Sequence, residues 1–494
     1  MISSKKIYII SVILICIALA FTVWALIMQH EAVNQILSGE HVFSDKHKIN
    51  YEVTDFYTDY TSSSPVKISL KGDTASSQSR NVSVDGSNIT IRGSGTYVLS
   101  GKLENGSITV DSADNVPVWL ILNSAHISSD TTAAIYVKQA EKVILSTAED
   151  TENTLNDGDN RTDDTITAAL YSKDDLTING KGSLTVKGNY RDGIKCNDDL
   201  KITEGTITVI AADDGINANN YIGMLEADIN IKSTGDAIKC EYTDDYSKGF
   251  AAFEKTTINI ETESDGIYAS NSLYNYSADV TISKCREGLE SAYITINGGN
   301  IDIVSYDDGI NATGHNSVGF GRMPMHSNNS EITDDDIYLT INDGKIRIET
   351  SGDGIDSNGA ISVNGGDIEV YGPESNGNSS LDFEYQLKID GGSLVAAGSS
   401  GMAETPAENS TQNTLVFYMD KAYDAGSEIV LTDERGNKIK SASPTKKFDW
   451  VCISSADILT NGKYTLTVDG NEAGTAEVTS RITTYGNRGR SFGR

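Results

Sequence analysis

The stretch LKITEGTITVIAADDGINA (Leu200–Ala218) decides the fold. Its apolar residues come in alternating pairs, Leu200/Ile202, Ile207/Val209 and Ile216/Ala218, with turn residues between the first two pairs. Alternation over runs this short marks β-strands with one buried face. The closing hexapeptide DDGINA (Asp213–Ala218) returns as Asp307–Ala312. Around both copies the shorter Asp-Gly-Ile element keeps recurring: Asp192-Gly-Ile-Lys-Cys, Asp214-Gly-Ile-Asn-Ala, Asp236-Ala-Ile-Lys-Cys and Asp265-Gly-Ile-Tyr-Ala. It continues as Glu287-Gly-Leu-Glu-Ser, Asp308-Gly-Ile-Asn-Ala and Asp353-Gly-Ile-Asp-Ser.

Successive copies lie 22, 22, 29, 22, 21 and 45 residues apart. The 29 reads as one period with an insertion, and the 45 as two periods or one period carrying a loop. Weaker copies, Ala133-Ala-Ile, Ala168-Ala-Leu, Ser379-Ser-Leu and Ser400-Gly-Met, extend the register both ways. A second ladder of turn residues (Asn179-Gly, Glu204-Gly, Asn297-Gly-Gly, Asn342-Asp-Gly, Asn364-Gly-Gly, Asp390-Gly-Gly) marks another corner. A fixed period of this length is the signature of a solenoid, in which each strand pairs with its counterpart about 4.8 Å away in the next coil. The expectation is an all-β parallel β-helix of roughly a dozen coils.

The register assigns directions to side chains. Two residues after each acid stands Ile or Leu, and four after it Cys, Ala or Ser, so both positions belong to the coil interior. The residue between them varies as Lys195, Asn217, Lys239, Tyr268, Glu290, Asn311 and Asp356, and is predicted to face outward. Cys196 and Cys240 share the small core position two coils apart, beyond disulfide reach, and read as free buried thiols.

Seventy acidic residues against 39 basic ones give a formal charge of −31, which disfavours nucleic acid and favours cation binding. Lys5 and Lys6 precede an uncharged apolar run, Ile7–Met28, long enough to span a bilayer. With no clean cleavage site it reads as an uncleaved signal anchor, displaying the remainder outside the cell membrane. The expected layout is anchor at 1–30, spacer at 31–65 and β-helix at 66–410. A small C-terminal β cap at 411–478, where hairpin-like strands replace the repeat, and a basic tail at 479–494 follow.

The acid of each repeat has two readings. As a turn residue its carboxylate caps a backbone N–H while the glycine supplies a positive φ. As one of seven acids stacked about 5 Å apart it suffers repulsion of roughly 1 kcal/mol per neighbouring pair, which calls for counter-charge or metal. Arg191 and Lys195, Lys239, and Arg286 stand close to their acids in sequence, whereas Asp213/Asp214, Asp307/Asp308 and Asp353/Asp356 have no adjacent cation. Hard carboxylate oxygens with nearby Asn carbonyls suit calcium, so these six residues are the candidate metal ligands. Asp213 and Asp307 come first, because the other coils lack a counterpart. The loop Asn156–Asp164 (NDGDNRTDD) is a weaker candidate.

The ordered segments GTYVLSGKL (Gly95–Leu103), VWLILNSAHI (Val118–Ile127), AAIYVKQAEKVIL (Ala133–Leu145), TENTLNDG (Thr151–Gly158), LYSKDDLTINGKGSLTV (Leu170–Val186), GDGIDSNGAISVNGGDIEVYGP (Gly352–Pro373) and LVAAGSSGMAETP (Leu394–Pro406) resemble bacterial extracellular carbohydrate-binding β-helix proteins. That family is related in fold to pectate lyases. The resemblance implies a right-handed parallel β-helix with calcium, binding cellulose or acidic sugars such as polygalacturonate. Relatives carry a Gly-rich insertion where this chain has the more acidic GFGRMPMHSNNSEITDDD (Gly319–Asp336).

As a binding module, the outward column supplies the carbohydrate contacts. Lys195 and Lys239 suit uronates, Asn217 suits hydroxyls and Tyr268 suits stacking, with Tyr242 and Tyr246 added by the insertion EYTDDYSKGF (Glu241–Phe250). A calcium-dependent lyase would use one of the lysines as base near calcium. Hydrolysis is disfavoured because the Asp213/Asp214 pair has no accompanying Gly-His-Gly or Arg-Ile-Lys segment. A surface adhesin or structural stalk needs only anchor and solenoid.

Overall fold

The computed structural model describes residues 39–44, 46–60, 64–313 and 337–487. The apolar run read as an anchor, the insertion Gly319–Asp336 and the end of the basic tail lie outside the described residues. Among the described residues, no helix is long and apolar enough to cross a membrane. The chain divides into two compact units at Tyr57/Thr58. In the first, Gly39–Val42 pairs antiparallel with Lys48–Tyr51, followed by a short 3-10 helix at Val53–Phe56.

The second unit is a parallel β-solenoid of about 11 turns. The Asp192 coil shows how the sequence builds one turn. Its three strands are Asp192–Cys196, Asp199–Ile202 and Gly205–Ala211. Each pairs in parallel with the next coil: Ile194 opposite Ile216, Leu200 opposite Ile222 and Ile207 opposite Ile229. The Ile column continues through Ile238, Ile267, Leu289, Ile310, Ile355 and Leu381. All are essentially fully buried in one continuous core. At about 1.5–3 kcal/mol per buried Ile or Leu, this stacked interior is the main stabilising term. The 45-residue interval is a single coil, since Ile310 pairs directly with Ile355. Cys196, Ala218 and Cys240 stack in successive rungs, and Cys196, Cys240, Cys285 and Cys452 are all free and buried.

The two glycine ladders play different parts. At the second corner Gly180, Gly205, Gly299, Gly344, Gly366 and Gly392 have φ between 77° and 118°, the left-handed region that glycine alone enters freely. Asn342 there bridges Asn297 and Asn364 through side-chain amide bonds of 2.8 Å. The glycines of the Asp-Gly-Ile element, expected to have positive φ, do not have it. They are glycines because a Cβ would collide. At Gly309 it would fall under 3.0 Å from Ile348 Cγ2 and the Gly354 carbonyl, and at Gly215 from Ile231 Cγ2 and the Ala237 carbonyl. Close coil-to-coil approach, not turn geometry, sets that position.

At the C-terminal end the parallel order stops. Phe448–Ser455 pairs antiparallel with the solenoid strand Ser393–Gly398, and Thr414–Tyr423 pairs on its other side. A four-stranded antiparallel sheet of Lys438–Ala442, Ile429–Asp433, Lys463–Val468 and Asn471–Glu477 has its own core around Phe417, Leu431, Phe448 and Leu466. Antiparallel pairing closes an edge that would otherwise expose unpaired backbone groups.

Candidate functional site

Two columns of side chains run along one face of the solenoid. The first is the acid of each repeat. Each Asp of the repeat accepts a hydrogen bond from the backbone N–H at the same position one coil on: Asp192 from Asp214 (3.3 Å), Asp214 from Asp236 (2.9 Å) and Asp236 from Asp265 (3.2 Å). Asp265 likewise accepts from Glu287 (3.2 Å), Asp308 from Asp353 (2.7 Å) and Asp353 from Ser379 (2.5 Å). The acid is therefore an inter-coil clasp rather than a cap within its own turn. A hydrogen bond to a charged group contributes about 1.5–3 kcal/mol, so the clasp is a structural reason for the repeat. Burial works against the charge. Asp214, Asp308 and Asp353 are each pushed up to about 6, by desolvation first and by neighbouring carboxylates after it.

The second column is the variable position. Its register runs Tyr136, Tyr171, Lys195, Asn217, Lys239, Tyr268, Glu290, Asn311, Asp356 and Asp382. These side chains leave the core as expected, but they lie half-buried against one another instead of projecting into solvent. Lys195 Nζ donates to Asn217 Oδ1 (2.6 Å) and Asn219 Oδ1 (3.0 Å), and Asn217 Nδ2 donates to Asp214 Oδ2 (2.7 Å). Lys239 Nζ lies 3.1 Å from Asp236, 3.8 Å from Asp214 and 5.8 Å from the Tyr268 ring centroid. Burial opposes its charge, but Asp214 and Asp236 hold its pKa above the usual lysine value. Lys239 is thus held as a structural cation, whereas Lys195, bonded to two amide oxygens, has its pKa pushed below the usual lysine value by burial. Burial, then Glu241 and Glu290, push the Tyr268 hydroxyl up to about 12. Beside this face Lys248 sits 4.8 Å over the Tyr242 ring, and Tyr246 is 57% exposed.

The metal candidates fall into two sets. Asp213 and Asp214 come together with Asp192, their carboxylate oxygens all within 4.8 Å. They are not without cations, contrary to the sequence expectation. Arg191 Nε lies 3.1 Å from Asp213, and Lys239 reaches Asp214. Asp307 similarly has Arg286 at 3.8 Å. These cations come from adjacent coils, roughly 22 residues away, which adjacency in sequence cannot show. Arg286 also neutralises the group Asp265, Glu287 and Glu290, with 2.7 Å to Asp265, a bond to Glu287 and 3.6 Å to Glu290. A third acidic group, Asp175, Asp198 and Asp199, is bridged by Asn220, which donates to both Asp198 and Asp199. The loop Asn156–Asp164 is closed on itself. Asp157 is buried against Arg161 and accepts the N–H of Asn189 (2.6 Å).

Asp308, Asp353 and Asp356 differ, and Asp382 joins them. Among the described residues none has a cation within ion-pair distance. Asp356 is pushed up to about 8 by burial, then by Asp382, Asp308, Asp353 and Glu287. Glu290, two rungs before it, is also pushed up to about 8, by burial and then by Glu287 and Asp265. Between Glu290 and Asp356 stands Asn311. Its Nδ2 donates to Glu287 Oε2 (2.9 Å), while its buried Oδ1 has no hydrogen-bond partner among the described residues. A run of hard oxygens with an orphaned carbonyl oxygen suits a divalent cation with oxygen preference. Asp382 was missed because its coil begins Ser379-Ser-Leu. Carrying the register one residue further would have placed it beside Asp356.

A family model described as "Carbohydrate-binding domain-containing protein" matches residues 85–335. A carbohydrate-binding domain-containing protein of Acetivibrio thermocellus is 34% identical over 207 residues, covering 41% of this chain and 72% of the relative. A solved structure of a polysaccharide lyase-like protein from C. thermocellum, a gadolinium derivative, is 33% identical. It covers 44% of this chain and 91% of its own, with a TM-score of 0.43.

Proposed function

This chain belongs to the family of carbohydrate-binding domain-containing proteins, and from that premise we propose that it binds an acidic polysaccharide through calcium, without cleaving it. The observation that carries this reading is the acidic end of the outward column: Glu290, Asn311, Asp356 and Asp382 on successive rungs, flanked by Asp308 and Asp353. Asp356 and Asp382, neighbours on the ladder, with the Asn311 side-chain carbonyl on the preceding rung, are the groups that would hold calcium. Bound there, calcium supplies positive charge toward which a uronate carboxylate is attracted. Tyr268 and Lys239, next along the same column, would flank the sugar chain with a ring face and a cation. Lyase chemistry is disfavoured because Lys195 and Lys239, the candidate bases, are both engaged by ladder neighbours. The apolar N-terminal run would hold the solenoid at the outer face of a cell membrane.

Retention on immobilised polygalacturonate tests the reading. Retention in calcium and release by EDTA, with no unsaturated product absorbing in the ultraviolet, is the expected result. Retention unaffected by EDTA would remove calcium from the account, and appearance of unsaturated product would make the protein a lyase.

A further inference from the structure

The two copies of DDGINA meet different neighbours. In the first, the parallel register sets Lys195 directly opposite Asn217 on the adjacent coil. Lys195 Nζ donates to Asn217 Oδ1 (2.6 Å), and Asn217 Nδ2 donates to Asp214 Oδ2 (2.7 Å). The Asn217 amide is thus held between an amine at its carbonyl and a carboxyl at its nitrogen, and both Asn217 and Asp214 are buried. In the second copy the ladder places Glu290 before Asn311 and Asp356 after it, so carboxyl groups stand where the first copy has its amine.

We propose that Lys195 and Asn217 join in an isopeptide bond that staples two adjacent coils covalently. Lys195 Nζ attacks Asn217 Cγ, so the Nζ–Cγ bond forms and the Cγ–Nδ2 bond breaks. One proton moves from Nζ to Nδ2 through the Asp214 carboxyl, and Nδ2 leaves as ammonia. Asp214 ends as it began, and no oxidant, reductant or co-reactant is consumed. The attack needs a neutral amine held against a carbonyl in a site that excludes water. Lys195 bonds only amide oxygens, those of Asn217 and of Asn219 (3.0 Å), and burial lowers its pKa toward the neutral form. Lys239, on the other side of Asn217, is held as an ammonium by Asp236 and Asp214 and has no free electron pair to attack with. Asn219 also touches Lys195, but among the described residues no carboxyl bonds its nitrogen, so Asn217 is the amide prepared to lose ammonia. A bond between coils closes a loop in the unfolded chain and so lowers that state's entropy. Neither Lys195 nor Asn217 takes part in the calcium reading.

Proteolysis of the denatured full chain, followed by tandem mass spectrometry, tests the bond. The expected result is a branched peptide that joins Lys195 to Asn217 and is lighter than the sum of its two arms by one ammonia. Asn311 should be found in linear peptides only. Lys195→Arg keeps the cation but not the nucleophile, and the branched peptide should vanish. Asp214→Asn is expected to slow bond formation about a hundredfold or more, leaving most freshly made chains unlinked. The wild-type spectrum decides the case even if a variant fails to fold. Wild-type chains that yield only linear peptides with free Lys195 and intact Asn217 overturn the proposal. A branch at Asn219 overturns the choice of Asn217, and an Asp214→Asn chain linked as fast as wild type removes Asp214 from the mechanism.

Discussion

Replacing Asp356 by Asn keeps the side chain's size and removes its charge. In the folded chain the Asp356 carboxyl is pushed from its ordinary 3.8 up to about 8, chiefly by burial and then by Asp382, Asp308 and Asp353. The raised value means the folded state holds a proton that the unfolded chain gives up. Stability without metal therefore falls as pH rises from about 4 toward about 8. Four units at ~1.4 kcal/mol each set a ceiling of about 5–6 kcal/mol. Solvent screening of a half-buried carboxylate reduces this to about 2–3 kcal/mol. Thermal unfolding in EDTA, followed by circular dichroism at pH 5 and pH 8, reads the effect. At pH 8 Asp356→Asn should melt about 3–5 °C higher than the wild type. At pH 5, only about one unit above the unfolded carboxyl's value, the gap should shrink to about a third of that. A variant no more stable than wild type at pH 8, or equally stabilised at both pH values, would refute the claim that the acidic end is uncompensated.

Calcium should reverse that ranking. At a hundredfold excess over Kd it stabilises the wild type by about 2–3 kcal/mol, and this gain should vanish in Asp356→Asn/Asp382→Asn when melting is repeated with added calcium. Gly309→Ala should cost about 1–3 kcal/mol in urea unfolding, because the new Cβ meets Ile348 and the Gly354 carbonyl. Arg286→Ala leaves Asp265, Glu287, Glu290 and Asp307 without their shared cation, and since Arg286 is 38% exposed the expected loss is about 1–3 kcal/mol, read from the same urea midpoint. Cys196, Cys240, Cys285 and Cys452 should resist an aqueous thiol reagent in the native protein and react on unfolding, since burial pushes Cys285 and Cys452 up to about 12 and Cys196 and Cys240 further.

The solenoid was legible because a residue's partner sits one period away. Once Asp192, Asp214 and Asp236 are aligned, Ile194, Ile216 and Ile238 must stack, and they do. The same geometry hides what surrounds the site. Arg191 faces Asp213 and Lys239 faces Asp214 across coils, so counter-charges that look absent along the chain are present in space. The repeated glycine reads from the sequence as a turn residue, and its actual cause, contact with the next coil, requires coordinates.

The central claim is that an acidic glycan is held through calcium at the acidic end of the outward column. Calorimetric titration of oligogalacturonate in calcium, comparing the wild type with Asp356→Asn/Asp382→Asn, tests it most directly. The account predicts a loss of affinity of about tenfold or more in the variant, the same order as EDTA produces in the wild type. Equal affinity in variant and wild type, with both still sensitive to EDTA, would place the calcium and its sugar elsewhere on the molecule and contradict the claim.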